Sequence, residues 1–144
     1  MIPDAPTFAW HQAREDFIAA DLYKGKTPTV RGALAELSGG RRVWALWMRS
    51  FYNPDTTKSE NNTLHVQRIV IDDGEGSENS STPIDDATKQ EHITGLVAVL
   101  RVAQREAAQW NMAEVEIWNP NEVVLAAAKQ IAPQAVVQLS LIHI

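Results

Sequence analysis

The segment Arg42–Ser50 constrains this chain more than any other. In an extended chain Val43, Ala45 and Trp47 point one way and Trp44, Leu46 and Met48 the other, so both faces are apolar. Such a run reads as a central strand rather than an edge. A second run, Thr63–Ile71, sets Leu64, Val66, Arg68 and Val70 against His65, Gln67, Ile69 and Ile71. The polar stretch 53–62, with Pro54 in it, reads as a loop, and the two strands are expected to pair antiparallel.

Helices are expected on either side of this pair. Phe8, Trp10, Ala13, Phe17 and Ala20 recur at helical spacing, which predicts a helix over 7–23 with these residues as its apolar side, closed by Gly25 and Pro28. Residues 29–40 read as a connector ending in the turn Ser38-Gly39-Gly40. Residues 86–111 carry a stripe of Ile93, Leu96, Val97, Leu100, Ala103, Ala107 and Trp110, with Thr88 and Glu91 as a candidate capping box and Asn111 as a left-handed end. Glu114–Trp118 reads as a third strand. Pro120 suits the first turn of another helix, which Val123, Val124, Ala127 and Ile131 make apolar and Ala132-Pro133 ends; 135–144 suits a fourth strand. The strand–helix–strand unit over 63–118 favours parallel, right-handed pairing. The fold class is α/β (α+β), a mixed β-sheet flanked by helices. Trp44, Trp47, Trp110 and Trp118 are expected in the core.

A chain of 144 residues suits one domain. It has no cysteine, which excludes disulfides, thiolate-bound metal and thiol catalysis. No run approaches the roughly 20 apolar residues of a membrane span, and Met-Ile-Pro-Asp is not a signal peptide, so a cytoplasmic location without a membrane partner is expected. Net charge is −5: residues 1–71 carry nine Lys and Arg against seven Asp and Glu, and 72–144 carry four against eleven. No basic stripe exists, so nucleic acid is not an expected partner. Residues 72–86 hold six acids and no base and read as a flexible solvated loop.

Four residues carry candidate chemistry. His11 and Glu15 lie one helical turn apart, a spacing that serves a metal or an acid–base pair, or a plain solvated face. A third ligand is missing, so no metal site is expected. Arg49 and Arg68 lie within strand patterns. A guanidinium there needs an anion, either a protein carboxylate or the carboxylate of a substrate. Asn119, before a helix N-terminus, is a turn residue or a ligand-facing one.

Several segments in order resemble the fungal L-lysine N6-acetyltransferase-like proteins of the GNAT superfamily. They are Pro3-Asp4, Trp10–Phe17, Arg31-Gly32-Ala33, Arg42-Val43-Trp44 through Arg49, Thr63-Leu64 with Arg68-Ile69-Val70, Ala103-Gln104 with Glu106-Ala107 and Trp110-Asn111, and Glu116–Pro120. The resemblance is to the C-terminal portion of that family and implies a GNAT-like fold over 1–137. In the family the acetyl-CoA motif, Arg/Gln-x-x-Gly-x-Gly/Ala at a helix start, lies in an N-terminal acetyltransferase domain, and this chain has no such motif. The ending 138–144 resembles translated sequencing-adapter read-through and is expected to be a non-native tail, and Met1 an internal start.

The resemblance implies the C-terminal, non-coenzyme-cradling part of an enzyme moving acetyl from acetyl-CoA to a small amine, free L-lysine in the first place. Acetyl-CoA is then a co-substrate of the full-length protein, held by the missing N-terminal domain, and the isolated chain is inactive. Arg49 and Arg68 are candidates for the substrate carboxylate, and His11 and Glu15 for the amine. The alternative is a non-catalytic α/β binding domain with the same topology.

Overall fold

The computed structural model describes residues 5–73, 86–134, 136–138 and 141–143. Helix α1 (Ala5–Leu22) leads into β1 (Gly32–Glu36), a short 3-10 turn (Ser38–Gly40), β2 (Arg42–Ser50) and β3 (Thr63–Asp72). Helix α2 (Asp86–Gln109), β4 (Glu114–Trp118), α3 (Glu122–Ile131), β5 (Val136–Gln138) and β6 (Leu141–His143) follow. The acidic stretch expected as a flexible loop falls largely on residues 74–85, outside the described residues.

The six described strands form one sheet in the order β1-β2-β3-β4-β6-β5. The described strands pair antiparallel except β3 and β4, which run parallel as the strand–helix–strand pattern implies. Strand β2 is central, between β1 and β3. The residues taken as a connector contain β1. A five-residue strand of small side chains, Gly-Ala-Leu-Ala-Glu, carries little strand propensity of its own and is held by its pairing with β2. Its first residue must be glycine, because a Cβ on Gly32 would sit 2.5 Å from the Ala45 carbonyl oxygen.

Local signals end the helices. Lys24 and Gly25 turn left-handed after α1, and the Gly25 N–H reaches the Ala20 carbonyl at 2.7 Å. Asn111 does the same after α2, where the Met112 N–H reaches Ala107 at 2.8 Å. Asn121, rather than Pro120, begins α3: its Oδ1 accepts from the Val124 N–H at 2.9 Å. The Glu91 half of the expected capping box of α2 is spent elsewhere. The helix already starts at Asp86, and Glu91 instead binds the Ser38 N–H, the Ser38 hydroxyl and Arg41, tying α2 to the β1–β2 turn.

All three helices supply one core cluster, and that cluster takes the side chains of one sheet face only: Ala33, Ala35, Val43, Ala45, Trp47, Leu64, Val66, Ile69, Ile71, Val115 and Ile117. Helix α2 lies close against it, since a Cβ on Gly95 would meet Val43 at 2.7 Å and Leu37 at 2.9 Å. Leu34, Trp44, Leu46, Val70 and Trp118, on the other face, lie outside the cluster. Trp118 is 56% exposed, against the core position expected for it. Around Leu34 and Trp118 this face is exposed, whereas Met48, further along β2, is buried beside α1.

The apolar side expected of α1 is also the wrong one. Trp10 and Phe17 are 61% and 78% exposed, and the helix instead buries Glu15 and Ala19, with Ile18 and Leu22 against the core. The charge on Glu15 hides this face from a hydrophobic reading; its partner explains the burial.

Candidate functional site

The carboxylate of Glu15 meets Arg49, on β2, deep between α1, β2 and α2. Arg49 Nη1 donates to Glu15 Oε1 at 2.9 Å, and Nη2 donates to Glu106 Oε2 at 2.6 Å and to the Val30 carbonyl at 2.9 Å. Its guanidinium carbon lies 5.6 Å from the Trp110 ring centroid. Arg31 stands 3.5 Å from the second oxygen of Glu15 and pairs with Asp16. Burial pushes the Glu15 carboxyl above its ordinary value, and Arg49 and Arg31 pull against that shift without cancelling it. The guanidinium is therefore engaged by protein groups on two of its three nitrogens, and the buried Nε has no partner among the described residues.

His11 does not join this pair. Its ring packs edge-on against Trp10, with centroids 5.0 Å apart, and its buried Nδ1 has no hydrogen-bond partner among the described residues. Helical spacing puts His11 and Glu15 on one side of α1, but Arg49 draws the carboxylate away.

Arg68 occupies a different place. Strand β4 stops at Trp118 while β3 runs on to Asp72, and the last β3–β4 pair is Val66 with Ile117. Beyond that pair a cavity of about 310 Å³ opens between β3 and the turn entering α3. Gln67, Arg68, Ile69, Trp118, Asn119 and Asn121 are among its walls. A register shift against Leu46 and Trp47 marks a bulge in β3 beside it, of the kind that re-aims side chains. Arg68 is exposed, its guanidinium carbon 5.6 Å from the Trp44 ring centroid, and it has no carboxylate partner among the described residues. A cation over an aromatic face, at the rim of a cavity and without a protein anion, suits an anionic ligand group. Asn119 lines the same cavity in a left-handed conformation, φ 48°.

The structure thus brings Arg49 and Glu15 together, sets His11 beside them without contact, and puts Arg68 on the opposite face of the sheet. Sequence reasoning missed Glu106, Arg31 and the pair His65–Glu116, whose Nδ1 and Oε1 are 3.0 Å apart. Glu106 was visible only as the polar residue between Ala103 and Ala107 in the buried stripe of α2; nothing in the sequence marked the other two.

Neither strand-following helix start suits a pyrophosphate. Helix α2 opens on Asp86, and α3 is capped by its own Asn121 and carries Glu122 in its first turn. Both positions set negative charge where phosphates would need the helix N–H groups. Among the described residues no group of three or more His, Asp or Glu is placed to hold a metal, and no described helix is long and apolar enough to cross a membrane.

A mixed sheet with helices and one parallel pair, β3–β4, defines an α+β GNAT-like fold, the class the segment resemblance implied. Residues 1–141 match the family described as the LYC1 GNAT-like C-terminal domain, and the chain belongs to that family. No curated protein and no solved structure matches the chain. Membership of a GNAT-like family suggests acetyl-CoA use in the proteins that carry this domain.

Proposed function

We propose that this domain forms the acceptor side of a GNAT-type N-acetyltransferase, binding a small amino acid with free L-lysine as the first candidate. In this reading a separate N-terminal domain holds acetyl-CoA and docks over the exposed sheet face. The observation that carries the reading is Arg68, a cation stacked on Trp44 at the rim of the cavity, without a carboxylate partner among the described residues. The acceptor carboxylate pairs with its guanidinium, and Asn119 and Gln67 offer polar contacts beside it. Arg49 and Glu15, engaged with each other, brace the strand rather than touch the acceptor.

The division of labour follows from electrostatics. The helix starts of this chain are anionic and disfavour a phosphate-bearing donor, while Arg68 favours a carboxylate-bearing acceptor. The exposed apolar residues Leu34 and Trp118 supply the surface that an adjoining domain would cover.

The test is calorimetric titration of the chain with L-lysine. Saturable binding is expected, weakened roughly 10- to 100-fold in Arg68→Gln, the span of one lost charge-assisted contact. Absent binding, or binding indifferent to Arg68, would instead support a non-catalytic module of the same fold.

A further inference from the structure

The parallel pairing of β3 with β4 sets His65 opposite Glu116 on the sheet face away from the core cluster. The imidazole Nδ1 lies 3.0 Å from Glu116 Oε1, with side chains 25% and 13% exposed. An ionised carboxylate only accepts, so in this contact Nδ1 is the donor, and Nε2 is the ring nitrogen left for another partner. Nε2 has no hydrogen-bond partner among the described residues. The dyad is also well placed: Trp118, on the cavity wall, is the next side chain on the same face of β4 after Glu116, about 7 Å along the strand.

From this we infer that His65 is the proton acceptor for a primary ammonium bound at this face, and that Glu116 is its positioning residue. The inference rests on the reading of this domain as the side that takes an amine. The step is a single proton transfer. An N–H bond of the ammonium breaks, its electron pair stays on nitrogen, and the proton passes to Nε2, giving an imidazolium still bonded to Glu116 and a neutral amine able to act as a nucleophile. Glu116 is the charged group in contact with the ring among the described residues; Glu114 precedes it on the same face of β4, and Arg68 follows on β3. Met48, the register partner of His65 on β2, is uncharged, and His143 of β6 stands opposite Glu116 in the backbone register.

Long-range proton–nitrogen spectra of the imidazoles test this on the chain itself. The wild-type protein is expected to show His65 as the Nδ1–H tautomer, assigned with His65→Gln. Its Nε2 resonance should move saturably when n-butylamine is added, and in Glu116→Gln the tautomer preference should be lost. Butylamine carries no carboxylate, so its effect should survive Arg68→Gln, which separates this inference from the lysine-binding reading. A loss of lysine binding with the butylamine response intact leaves the dyad standing. An Nε2–H tautomer, or an Nε2 resonance unmoved by butylamine in the folded wild type, overturns it.

Discussion

Arg49 Nη1 and Glu15 Oε1 are 2.9 Å apart across the boundary between β2 and α1, with neither side chain reaching solvent. The same guanidinium holds Glu106 of α2 at 2.6 Å, so one strand residue joins two helices. Replacing a buried cation by an apolar residue leaves its carboxylates uncompensated, which costs more than the pair itself contributes. Arg49→Met is expected to lose about 3–5 kcal/mol of unfolding free energy in urea. Arg49→Lys should rescue little of it, because one ammonium cannot reproduce the fork. A loss under about 1 kcal/mol would show the cluster to be solvated.

The pH dependence has a definite sign. Burial raises the Glu15 carboxyl above 4.5, so in the folded chain it holds its proton to higher pH than in the unfolded one. Its contribution is then fully present below pH 4.5 and is lost as pH rises through the raised value. Relative to Glu15→Gln, the wild type should lose stability as pH rises from 4.5, read from urea midpoints. A wild type that instead gains on the variant over that span contradicts the direction.

Helix α2 reaches the sheet through Gly95. The methyl of Gly95→Ala would stand 2.7 Å from Val43 and 2.9 Å from Leu37, forcing helix and sheet apart. We expect a loss of about 1–3 kcal/mol from overpacking, despite the better helix propensity of alanine. Thr94→Ala, one position away and exposed, should stay within about 0.5 kcal/mol of wild type. Equal effects at both positions would refute the close approach.

Much of this fold is legible in the sequence. Strands β2, β3 and β4 and helix α2 follow from alternation and a 3.6-residue stripe, and Asn111 from its left-handed preference. What was not legible depends on partners distant in the chain. Strand β1 has small side chains and exists by pairing with β2. Helix α1 hides its buried side in the sequence because its inward face holds Glu15, whose counter-charges are the distant Arg49 of β2 and Arg31. Arg49 and Arg68 look alike in sequence, yet one is enclosed by carboxylates and the other lies open over Trp44. The His65–Glu116 pair needs the parallel register, which no local pattern encodes.

The exposed sheet face makes a prediction of its own. Trp118 is 56% exposed and contributes nothing to the core cluster, so Trp118→Ser should leave the urea midpoint nearly unchanged. If the face docks an adjoining domain, the same change should lower self-association of the isolated chain, measured by sedimentation. A stability loss of several kcal/mol would show Trp118 to be a structural residue after all.

The parallel pair also fixes an order of assembly. Strands β1, β2 and β3 are sequential and can zip as neighbours, but β3 and β4 cannot meet through a tight turn. His65 and Glu116 are 51 residues apart, and α2 lies between their strands. Closing so long a loop costs entropy before any contact rewards it, so this rung and the cavity beyond it belong to the late side of the folding barrier. Conservative core changes in β4, such as Val115→Ala, should therefore speed unfolding and leave the folding rate nearly untouched, whereas a slowed folding rate would place β4 in the nucleus. The end of the sheet that holds β4 would then be the last part of the domain to form and the first to open, giving it an unfolding threshold below that of the meander beside it.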